Sequence, residues 1–279
     1  MKRMSIIVFL LILTHFQMNA QHPSTGRYAT VNGLKMYYEI HGNGAPLVLL
    51  HGGGSTIVST YGAILPELEK TQQVIAIELQ AHGHTPDIDR PLSFEQDADD
   101  VAALLAQLHI AKANIMGFSN GATTALQMAI RHPELVNKLV LASALYKRNG
   151  TPPGFFDGFN SATIDQVPPQ LKTAYLAANP DPKGFEAMFR RDVARMKNFK
   201  DISDEAIKGI QAPALVISGY TDVILPEHSL LLARTLSHAQ VAILPGGHGD
   251  YIGEVCAPDK QSVLPALVTA MIIQFLKAP

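Results

Sequence analysis

The feature that most constrains the fold of this chain is a G-x-S-x-G, the segment Gly117 to Gly121, which reads GFSNG. A short, mostly apolar run of strand length, Ala113 to Met116, precedes it. Apolar residues then recur at helical spacing: Ala122, Ala125, Leu126, Ala129 and Ile130. A strand that runs directly into a helix forces the central residue of the turn into a strained backbone conformation. The pattern therefore predicts a nucleophilic Ser119 at the amino end of a helix, where the helix dipole favours developing negative charge. Gly117 and Gly121 would provide space for so sharp a turn, because glycine has no Cβ atom to collide with the flanking elements.

Composition narrows the class of protein further. The chain has 279 residues, of which 47% are hydrophobic, and a formal net charge of -2. This length and hydrophobicity indicate one globular domain, with room for an inserted lobe. Because the charge is nearly balanced and no basic block occurs, no nucleic-acid partner is expected. Cys256 is the only cysteine, so the chain can form no internal disulfide.

The first twenty residues have the pattern of a secretory signal peptide. Lys2 and Arg3 supply a positive start, and the run from Ile6 to Leu13 supplies the apolar core. Ala20 is a small residue before the expected cleavage point. The apolar run is far shorter than the ~20 residues that a membrane-spanning helix needs, so no stable membrane span is expected. The sequence predicts export, to the periplasm or outside the cell, after removal of residues 1–20.

Three consecutive glycines follow an early apolar strand. The run from Pro46 to Leu50 is of strand length and ends in His51-Gly52-Gly53-Gly54. Glycines at this place let the backbone approach a ligand and aim its N–H groups at it. Beside the serine turn, the loop is interpreted as half of an oxyanion hole. The Gly53 N–H is the first candidate donor and Gly54 the next, and the other donor is the N–H of Asn120.

The segment after this loop is expected to be structural. A helix is predicted from Tyr61 to Lys70, and two histidines, His82 and His84, lie in the turn after the next strand. No further cluster of metal ligands accompanies them, so they are expected to shape the loop rather than to hold a metal ion.

A helix start is predicted at Ser93. Ser93 and Gln96 have the spacing of a capping box, in which each side chain bonds the backbone N–H of the other residue. Asp97, Asp99 and Asp100 follow in the first turns, where the helix dipole favours acids. They are therefore expected to form a solvated helix start.

The composition changes between about residues 146 and 206. Proline pairs interrupt the chain there, and phenylalanine and methionine accumulate. From Lys183 to Phe199, apolar residues recur at helical spacing. Two interpretations stay open: the stripe packs on the core, or it forms a helical lid whose inner face shapes an acyl or alcohol pocket. The candidate pocket residues are Phe118, Phe155, Phe156, Phe159, Met188 and Phe189.

Two loops in the last quarter of the chain carry an acid and a histidine. Asp222 follows the apolar strand Ala214 to Ser218, where a carboxylate is placed to orient a histidine. His248 lies in a glycine-rich loop after the last predicted strand, Ala239 to Leu244. With Ser119, these residues have the chain order of one known type of serine, acid and histidine triad.

Together these residues predict acyl-transfer chemistry. His248 would take the proton of Ser119 as the hydroxyl attacks, and Asp222 would hold the imidazole tautomer and stabilise the imidazolium. The amides of Gly53 and Asn120 would stabilise the tetrahedral oxyanion, each donor contributing ~3 kcal/mol. His248 would then protonate the leaving group, and water would release the acyl-enzyme.

These motifs resemble those of the α/β-hydrolase family over nearly all of the mature chain. The matching pieces are His51-Gly52-Gly53-Gly54, the turn from Gln80 to Thr85, the serine turn, and the Asp222 and His248 loops. The resemblance implies an α/β fold with an eight-stranded, mostly parallel sheet flanked by helices. It also implies an inserted helical cap in residues 146–206, a core formed by residues 21–145 and 207–279, and no cofactor.

The leading functional hypothesis is a serine hydrolase that cleaves a small-molecule carboxylic ester. The family that the chain resembles also includes lactonases, C–C bond hydrolases and aminopeptidases, and some bacterial members open the lactone ring of macrolide antibiotics. Fold alone does not choose among these activities, so they stay open as alternatives. A further alternative is a ligand-binding protein that keeps the fold without turnover. The sequence does not indicate an oligomeric state.

Overall fold

A computed structural model describes residues 26–278, so the predicted signal peptide lies outside the described residues. Eight strands in this part of the chain form one sheet. They are β1 Arg27–Val31, β2 Leu34–His41, β3 Ala45–Leu50, β4 Gln72–Glu78, β5 Ala113–Phe118, β6 Val136–Ala142, β7 Ala214–Gly219 and β8 Ala239–Leu244. Their spatial order is β1-β2-β4-β3-β5-β6-β7-β8. The pairs β1–β2 and β2–β4 are antiparallel and the others are parallel, which confirms the predicted mostly parallel, eight-stranded sheet.

The helices flank the sheet and fill one long insertion. They are α1 Ile57–Tyr61, α2 Leu65–Leu68, α3 Phe94–Gln107, α4 Asn120–Arg131, α5 Phe155–Gly158, α6 Pro169–Ala178, α7 Pro182–Lys197, α8 Asp204–Lys208, α9 Pro226–Thr235 and α10 Leu264–Lys277. The single helix predicted from Tyr61 to Lys70 is wrong, because α1 ends at Tyr61 and α2 is a separate short helix. Pro66 has no backbone N–H, so it is suited to the first turn of α2 and not to the interior of a longer helix.

The side chains of the central strands supply both halves of the core. In β3, Val48 and Leu50 belong to the cluster that includes residues of α3 and α4, whereas Leu47 and Leu49 belong to the cluster that includes residues of α1, α2 and α10. Successive side chains of a strand point to opposite faces, so the buried part of β3, residues 47–50, supports a helical layer on each side. The fold therefore has three layers, with the sheet in the middle.

The connection between β6 and β7 contains α5, α6 and α7, and it forms the inserted helical cap. Phe185 and Met188 of α7 pack against Tyr175 of α6 and against Ala81 of the core. Met196, near the other end of α7, lies in a second apolar cluster. These three residues are buried, so the packing interpretation of the α7 stripe holds for them, while Met188 and Met196 also line cavities described below. The boundaries at residues 146 and 206 stay a prediction.

The topology places several loops at one edge of the sheet. Because β3, β5, β6, β7 and β8 are parallel to one another, their carboxyl ends meet at the same edge, and the loops that leave them carry the candidate site residues. Within residues 26–278, no helix combines the length and hydrophobicity needed to cross a membrane. The same part of the chain contains no group of three or more His, Cys, Asp or Glu side chains arranged to hold a metal ion.

Candidate active site

The turn between β5 and α4 is as sharp as the sequence pattern predicts. The strand runs directly into the helix through Ser119, which has φ 54° and ψ -119°. A Cβ atom on Gly117 would lie 2.1 Å from the carbonyl oxygen of Gly121, and one on Gly121 would lie 2.1 Å from that of Leu50. Both glycines are therefore required by the close approach of the backbone. The strained serine lies at the amino end of α4, beside N–H groups that have no partner inside the helix.

The side chains of Ser119, Asp222 and His248 meet in one hydrogen-bonded chain, although three separate loops carry them. Ser119 Oγ lies 3.0 Å from His248 Nε2, and His248 Nδ1 lies 2.6 Å from Asp222 Oδ1. When Nδ1–H donates to the carboxylate, Nε2 is free to accept the proton of the serine hydroxyl. These distances are within the reach that nucleophilic catalysis by a serine needs.

Asp222 is buried and accepts several hydrogen bonds. The N–H of Ile224 donates to Oδ1 at 3.0 Å, on the same oxygen that contacts His248. Burial alone would raise the pKa of Asp222, but the hydrogen bond and the charge of His248 outweigh it, so this pKa lies below its ordinary value. Asp222 is therefore ionised near neutral pH and can stabilise a protonated His248.

Ser143 is a site residue that sequence reasoning missed. It directly follows β6 with φ 51°, and its Oγ lies 2.5 Å from Asp222 Oδ2 and 2.6 Å from the Tyr251 hydroxyl. A carboxylate only accepts, so Ser143 donates to Asp222 and Tyr251 donates to Ser143. Burial raises the pKa of Tyr251 well above its ordinary value, so the phenol keeps its proton. One signal in the sequence could have identified Ser143 as a site residue. It directly follows a strand of the parallel sheet, and the carboxyl ends of these strands lie at the same edge as the serine turn.

The glycine loop (residues 51–54) lies directly against the serine turn. A Cβ atom on Gly52 would lie 3.5 Å from that of Ser119, and one on Gly53 would lie 2.4 Å from Asn120 Nδ2. Among the described residues, neither the Gly53 N–H nor the Asn120 N–H has a hydrogen-bond acceptor. Both amides thus stand next to Ser119 without a partner, as donors to an oxyanion would.

Gly54 is placed differently from Gly53. Its N–H donates at 2.7 Å to Oδ2 of Asp192, a residue of the cap helix α7. The interpretation of Gly54 as an alternative oxyanion donor is therefore wrong, because the cap already occupies its N–H group. In the sequence, Asp192 is one residue of the helical segment from Lys183 to Phe199, and nothing in that local pattern indicates a contact with Gly54.

A buried charged cluster lies under the cap, beside the glycine loop. It consists of His82, Asp97, Asp192 and Arg195. His82 Nε2 lies 3.0 Å from Asp192 Oδ2, while Arg195 pairs with Asp97 at 2.8 Å and with the second oxygen of Asp192. Burial alone would raise the pKa of Asp192, but the charges of His82 and Arg195 lower it well below its ordinary range. Burial alone would lower the pKa of His82, but Asp192 outweighs it and raises this pKa.

The acidic start of α3 is largely buried rather than solvated. Asp97 and Asp100 are only 2% and 1% exposed, so the expectation is wrong for these two residues. Asp97 pairs with the arginine of the charged cluster, and Asp100 pairs with Arg90. Ser93 does accept from the Gln96 N–H at 3.1 Å, but the Gln96 side chain donates to Asp100, so the second half of the capping box is not formed.

A cavity of about 280 Å³ opens onto the serine. Its lining consists of Gly53, Ser119, Asn120, Ser143, Leu145, Phe155, Phe159, Asp192, Met196, Val223, Ile224 and His248. The structure therefore places Phe155 and Phe159 at the site as predicted. Phe118 and Phe156 do not line it. The centroid of the Phe118 ring lies 4.7 Å from that of the His248 ring. Phe156 lies in an apolar cluster between the cap and the core, which includes Phe94 and Met196. No lysine or arginine is among the lining residues.

A second cavity, of about 250 Å³, adjoins the first under the cap. Met188 and Phe189, which had been assigned to one pocket with the other phenylalanines, line this second cavity instead. Gly53, Phe159 and Asp192 line both cavities, so the two meet beside the glycine loop. Apart from Asp192, the second lining contains no charged side chain.

Comparisons with known proteins agree with this geometry. A sequence model of the alpha/beta hydrolase fold matches residues 45–184. The chain is 28% identical over 246 residues to 2-hydroxymuconate semialdehyde hydrolase of Pseudomonas sp. (strain CF600), covering 79% of this chain and 86% of that protein. It is 26% identical over 242 residues to the Homo sapiens serine hydrolase BPHL, covering 80% of this chain and 79% of that protein.

A solved structure shows the same fold. A meta-cleavage product hydrolase from Pseudomonas fluorescens IP01 matches with a TM-score of 0.74 at 23% identity, covering 90% of this chain and 97% of that one. The chain belongs to the α/β-hydrolase fold family. The family model and the curated relatives together support the enzyme class of the hydrolases.

Proposed function

We propose that this protein is an exported serine hydrolase that cleaves carboxylic esters through an acyl-enzyme. The observation that carries the proposal is the continuous chain from Ser119 Oγ to His248 Nε2, at 3.0 Å, and from His248 Nδ1 to Asp222 Oδ1, at 2.6 Å. A neutral serine is a poor nucleophile near neutral pH, and an adjacent histidine of fixed tautomer removes that barrier by taking its proton.

The reaction follows from the positions of the polar groups. Ser119 Oγ attacks the ester carbonyl carbon while its proton passes to His248, and the ionised Asp222 stabilises the imidazolium. The oxyanion that forms accepts hydrogen bonds from the amides of Gly53 and Asn120, each contributing ~3 kcal/mol of transition-state stabilisation. His248 then donates its proton to the leaving alkoxide, and a water molecule deprotonated by His248 releases the acid and regenerates Ser119.

The two cavities favour a neutral substrate with apolar groups. Their linings are mostly apolar, and they meet at Gly53, beside the place where the carbonyl oxygen would lie. An ester whose acyl and alcohol parts are both apolar could occupy one cavity with each part. A macrolactone, one of the alternatives open from the sequence, is a variant of the same chemistry and belongs in the substrate panel.

The second candidate is hydrolysis of a C–C bond. It is favoured by the similarity to a 2-hydroxymuconate semialdehyde hydrolase, which covers 79% of this chain. The name of that relative indicates that its substrate carries a carboxylate group. A carboxylate in a partly dehydrated site needs a cationic partner. The serine cavity has no lysine or arginine in its lining, and its fixed charge is the carboxylate of Asp192. We therefore rank ester hydrolysis first.

The proposal is tested by labelling the mature protein with a fluorophosphonate and by measuring turnover. Wild type is expected to be labelled and to hydrolyse p-nitrophenyl esters of graded acyl length, and Ser119→Ala is expected to lose the label and to lower kcat about 10⁴- to 10⁶-fold. Ser237→Ala is the matched control, because Ser237 is exposed and its hydroxyl bonds only the carbonyl of Lys208. It should behave as wild type.

Three other outcomes distinguish the alternatives. Near-normal kcat in Ser119→Ala would overturn the assignment of the nucleophile. Labelling accompanied by faster turnover of a 2-hydroxymuconate semialdehyde, or of amides, than of any ester or macrolactone would transfer the function to those bonds. A folded wild type without label or turnover would favour the non-catalytic ligand-binding alternative.

The site of action is part of the proposal. The positive start and apolar core of residues 1–20 support export to the periplasm or the medium. Expression of the full chain in a bacterial host, followed by mass spectrometry of the exported fraction, should show an amino terminus near Gln21. Recovery of only the uncleaved chain in the cytoplasm would contradict it.

A further inference from the structure

Asp192 connects the cap to the catalytic centre. It lies on α7, its side chain is 14% exposed, and it lines both cavities. Its Oδ2 atom accepts the N–H of Gly54 at 2.7 Å. Among the described residues, this hydrogen bond between Asp192 and Gly54 joins the cap to the glycine loop. The reaction proposed above gives Asp192 no chemical step, so its contacts need another explanation.

The charge state of His82 follows from its hydrogen bonds. Its Nδ1 lies 2.8 Å from the carbonyl oxygen of Gln80, which only accepts, so Nδ1 carries a proton. Its Nε2 lies 3.0 Å from Asp192 Oδ2, also an acceptor, and 3.3 Å from the Gly54 nitrogen. Because Asp192 raises the pKa of His82, the protonated ring is favoured, and its Nε2–H donates to Asp192. In this state Nε2 accepts no hydrogen bond, so the Gly54 N–H is left to the Asp192 carboxylate at 2.7 Å. Arg195 binds the other oxygen of Asp192, so the carboxylate cannot easily rotate away.

The other end of the glycine loop is held by the core. His51 Nδ1 lies 2.7 Å from the Gly52 carbonyl oxygen, and the Leu79 N–H donates to His51 Nε2 at 3.1 Å. Burial lowers the pKa of His51 to about 3, so the ring is neutral, with Nδ1–H as donor and Nε2 as acceptor. Gly52 is therefore fixed from the sheet side and Gly54 from the cap side.

Gly53 stands between these two anchors. A Cβ atom on it would lie 2.4 Å from Asn120 Nδ2 and 3.3 Å from Asp192 Oδ2, so this backbone is confined between the serine turn and the cap carboxylate. The Gly53 N–H lies in the peptide plane that it shares with the Gly52 carbonyl, which His51 contacts. The next plane contains the Gly54 N–H, which Asp192 holds. The two planes join at the Gly53 Cα atom, so fixing the second plane restricts the φ and ψ angles of Gly53 and thereby the direction of its N–H.

We propose that Asp192 is a positioning residue that orients the Gly53 N–H toward the oxyanion by holding Gly54 from the cap. The inference rests on the proposed function, since it assigns a task at the same site. It makes one half of the oxyanion hole dependent on the cap helix, whereas the Asn120 N–H depends only on the serine turn.

The alternative is that Asp192 merely attaches the cap to the core. The same helix provides a control for that role, because Arg191, the neighbouring residue, bonds Asp87 at 2.9 Å and the Ile88 carbonyl oxygen at 2.9 Å. This contact also joins α7 to the core, but it does not touch the glycine loop. Loss of a simple attachment should affect both variants similarly.

The test compares Asp192→Ala, Asp192→Asn and Arg191→Gln in the full mature protein. The substrates are one p-nitrophenyl ester that wild type turns over and the matching thionoester, whose sulfur is a much weaker hydrogen-bond acceptor than oxygen. Asp192→Ala is expected to lower kcat about 10- to 100-fold, with KM changed less than about threefold, because a misdirected donor weakens binding of the transition state more than of the ester. The ratio of ester to thionoester kcat should fall in parallel.

Asp192→Asn is expected to lie between wild type and Asp192→Ala, because its amide oxygen can still accept the Gly54 N–H. It also keeps the test valid if Asp192→Ala does not fold. Arg191→Gln should keep the wild-type ratio of ester to thionoester kcat. An unchanged ratio and kcat in both folded Asp192 variants, or an equal fall in Arg191→Gln, would overturn the inference. A wild type that neither takes the fluorophosphonate label nor hydrolyses esters would instead refute the proposed function on which it rests.

Discussion

Two carboxylates, the buried Asp222 and the half-buried Asp192, make similar contacts at the site from the sheet side and from the cap side. Asp222 accepts from the ring of His248 and from the N–H of Ile224, and Asp192 accepts from the ring of His82 and from the N–H of Gly54. In both, interactions with the charged form outweigh the cost of burial, so the pKa of each carboxyl lies below its ordinary value.

The two carboxylates differ in what carries them and in what they hold. Asp222 follows a strand of the sheet, and it contacts the ring of His248, which in the proposed reaction exchanges protons with Ser119. Asp192 belongs to the inserted cap, and it holds a backbone loop that does not react. Loss of Asp222 should therefore disable a catalytic group, whereas loss of Asp192 should misplace one donor. The comparison predicts effects of different size and kind.

The largest effect is expected when Asp222 is replaced by asparagine, the same replacement as in Asp192→Asn. Asp222→Asn should lower kcat about 10⁴-fold, because an amide that donates to Nδ1 stabilises the wrong tautomer of His248 and cannot stabilise the imidazolium. Steady-state turnover of a p-nitrophenyl ester at neutral pH measures this loss, with Asp192→Asn as the matched variant. If Asp192→Asn were as damaging as Asp222→Asn, the two carboxylates would not have the separate roles described here.

A smaller effect is expected at the residue behind Asp222. Ser143→Ala removes the hydroxyl that donates to Asp222 Oδ2, and a hydrogen bond to a charged group contributes about 1.5–3 kcal/mol. Because Asp222 keeps its contacts with His248 and Ile224, only part of this energy should appear in the reaction, and kcat should fall about 10-fold. Tyr251→Phe, which removes only the donor to Ser143, should lower kcat less than Ser143→Ala. The reverse order would exclude the relay from Tyr251 through Ser143.

The third prediction uses pH to isolate the pair of Asp192 and His82. The lowered pKa of Asp192 stabilises the fold above its unfolded value, about 3.9, and this stability is lost as pH falls through the folded pKa. The raised pKa of His82 stabilises the fold fully below its unfolded value, about 6.5, and this stability is lost as pH rises through the folded pKa. Asp192→Asn should therefore lower the free energy of unfolding most between about pH 4 and about pH 6.5.

Urea unfolding across this range measures the effect. Arg195, Asp97 and His51 also face the pair, and burial raises the pKa of Asp97 to about 6. Asp97 titrates within this pH range, and the charges of His82 and Asp192 contribute to its pKa. The difference between the two curves therefore reports on the pair together with its coupling to Asp97. Arg191→Gln, whose partner Asp87 is partly exposed, should cost about 0.2–1 kcal/mol with little dependence on pH. An Asp192→Asn penalty that is equal at about pH 5 and about pH 9 would contradict the pairing.

Sequence reasoning succeeded where the determinants are local. The strand, serine turn and helix occupy one continuous segment, and the steric need for Gly117 follows from that turn alone, because its Cβ atom would collide with the Gly121 carbonyl oxygen. The need for Gly121 also depends on β3, since its Cβ atom would collide with the Leu50 carbonyl oxygen. The parallel sheet follows from alternating strands and helices, and it brings the loops of Asp222 and His248 to the edge where Ser119 lies.

Sequence reasoning failed where the burial or the hydrogen bonding of a residue depends on a distant segment that packs over it. Asp97 has the local pattern of an exposed helix start, but Arg195 of the cap buries and pairs it. Likewise, Gly54 was assigned to the oxyanion hole because its loop alone was considered. The cap residues Phe155, Phe156 and Phe159 are neighbours in sequence and pack on one apolar cluster, but only Phe155 and Phe159 also reach the serine cavity, whereas Phe156 does not line it.

The sequence by itself determined the class of fold, the serine turn, and the identity and order of the three residues that form the hydrogen-bonded chain. These features depend on short-range backbone sterics and on the periodicity of apolar residues, which the chain carries in each segment. Only the tertiary structure decided which amides near Ser119 have no partner. That outcome depends on Asp192, which lies 138 residues from Gly54, and a contact at such a separation is set by how the cap packs on the core.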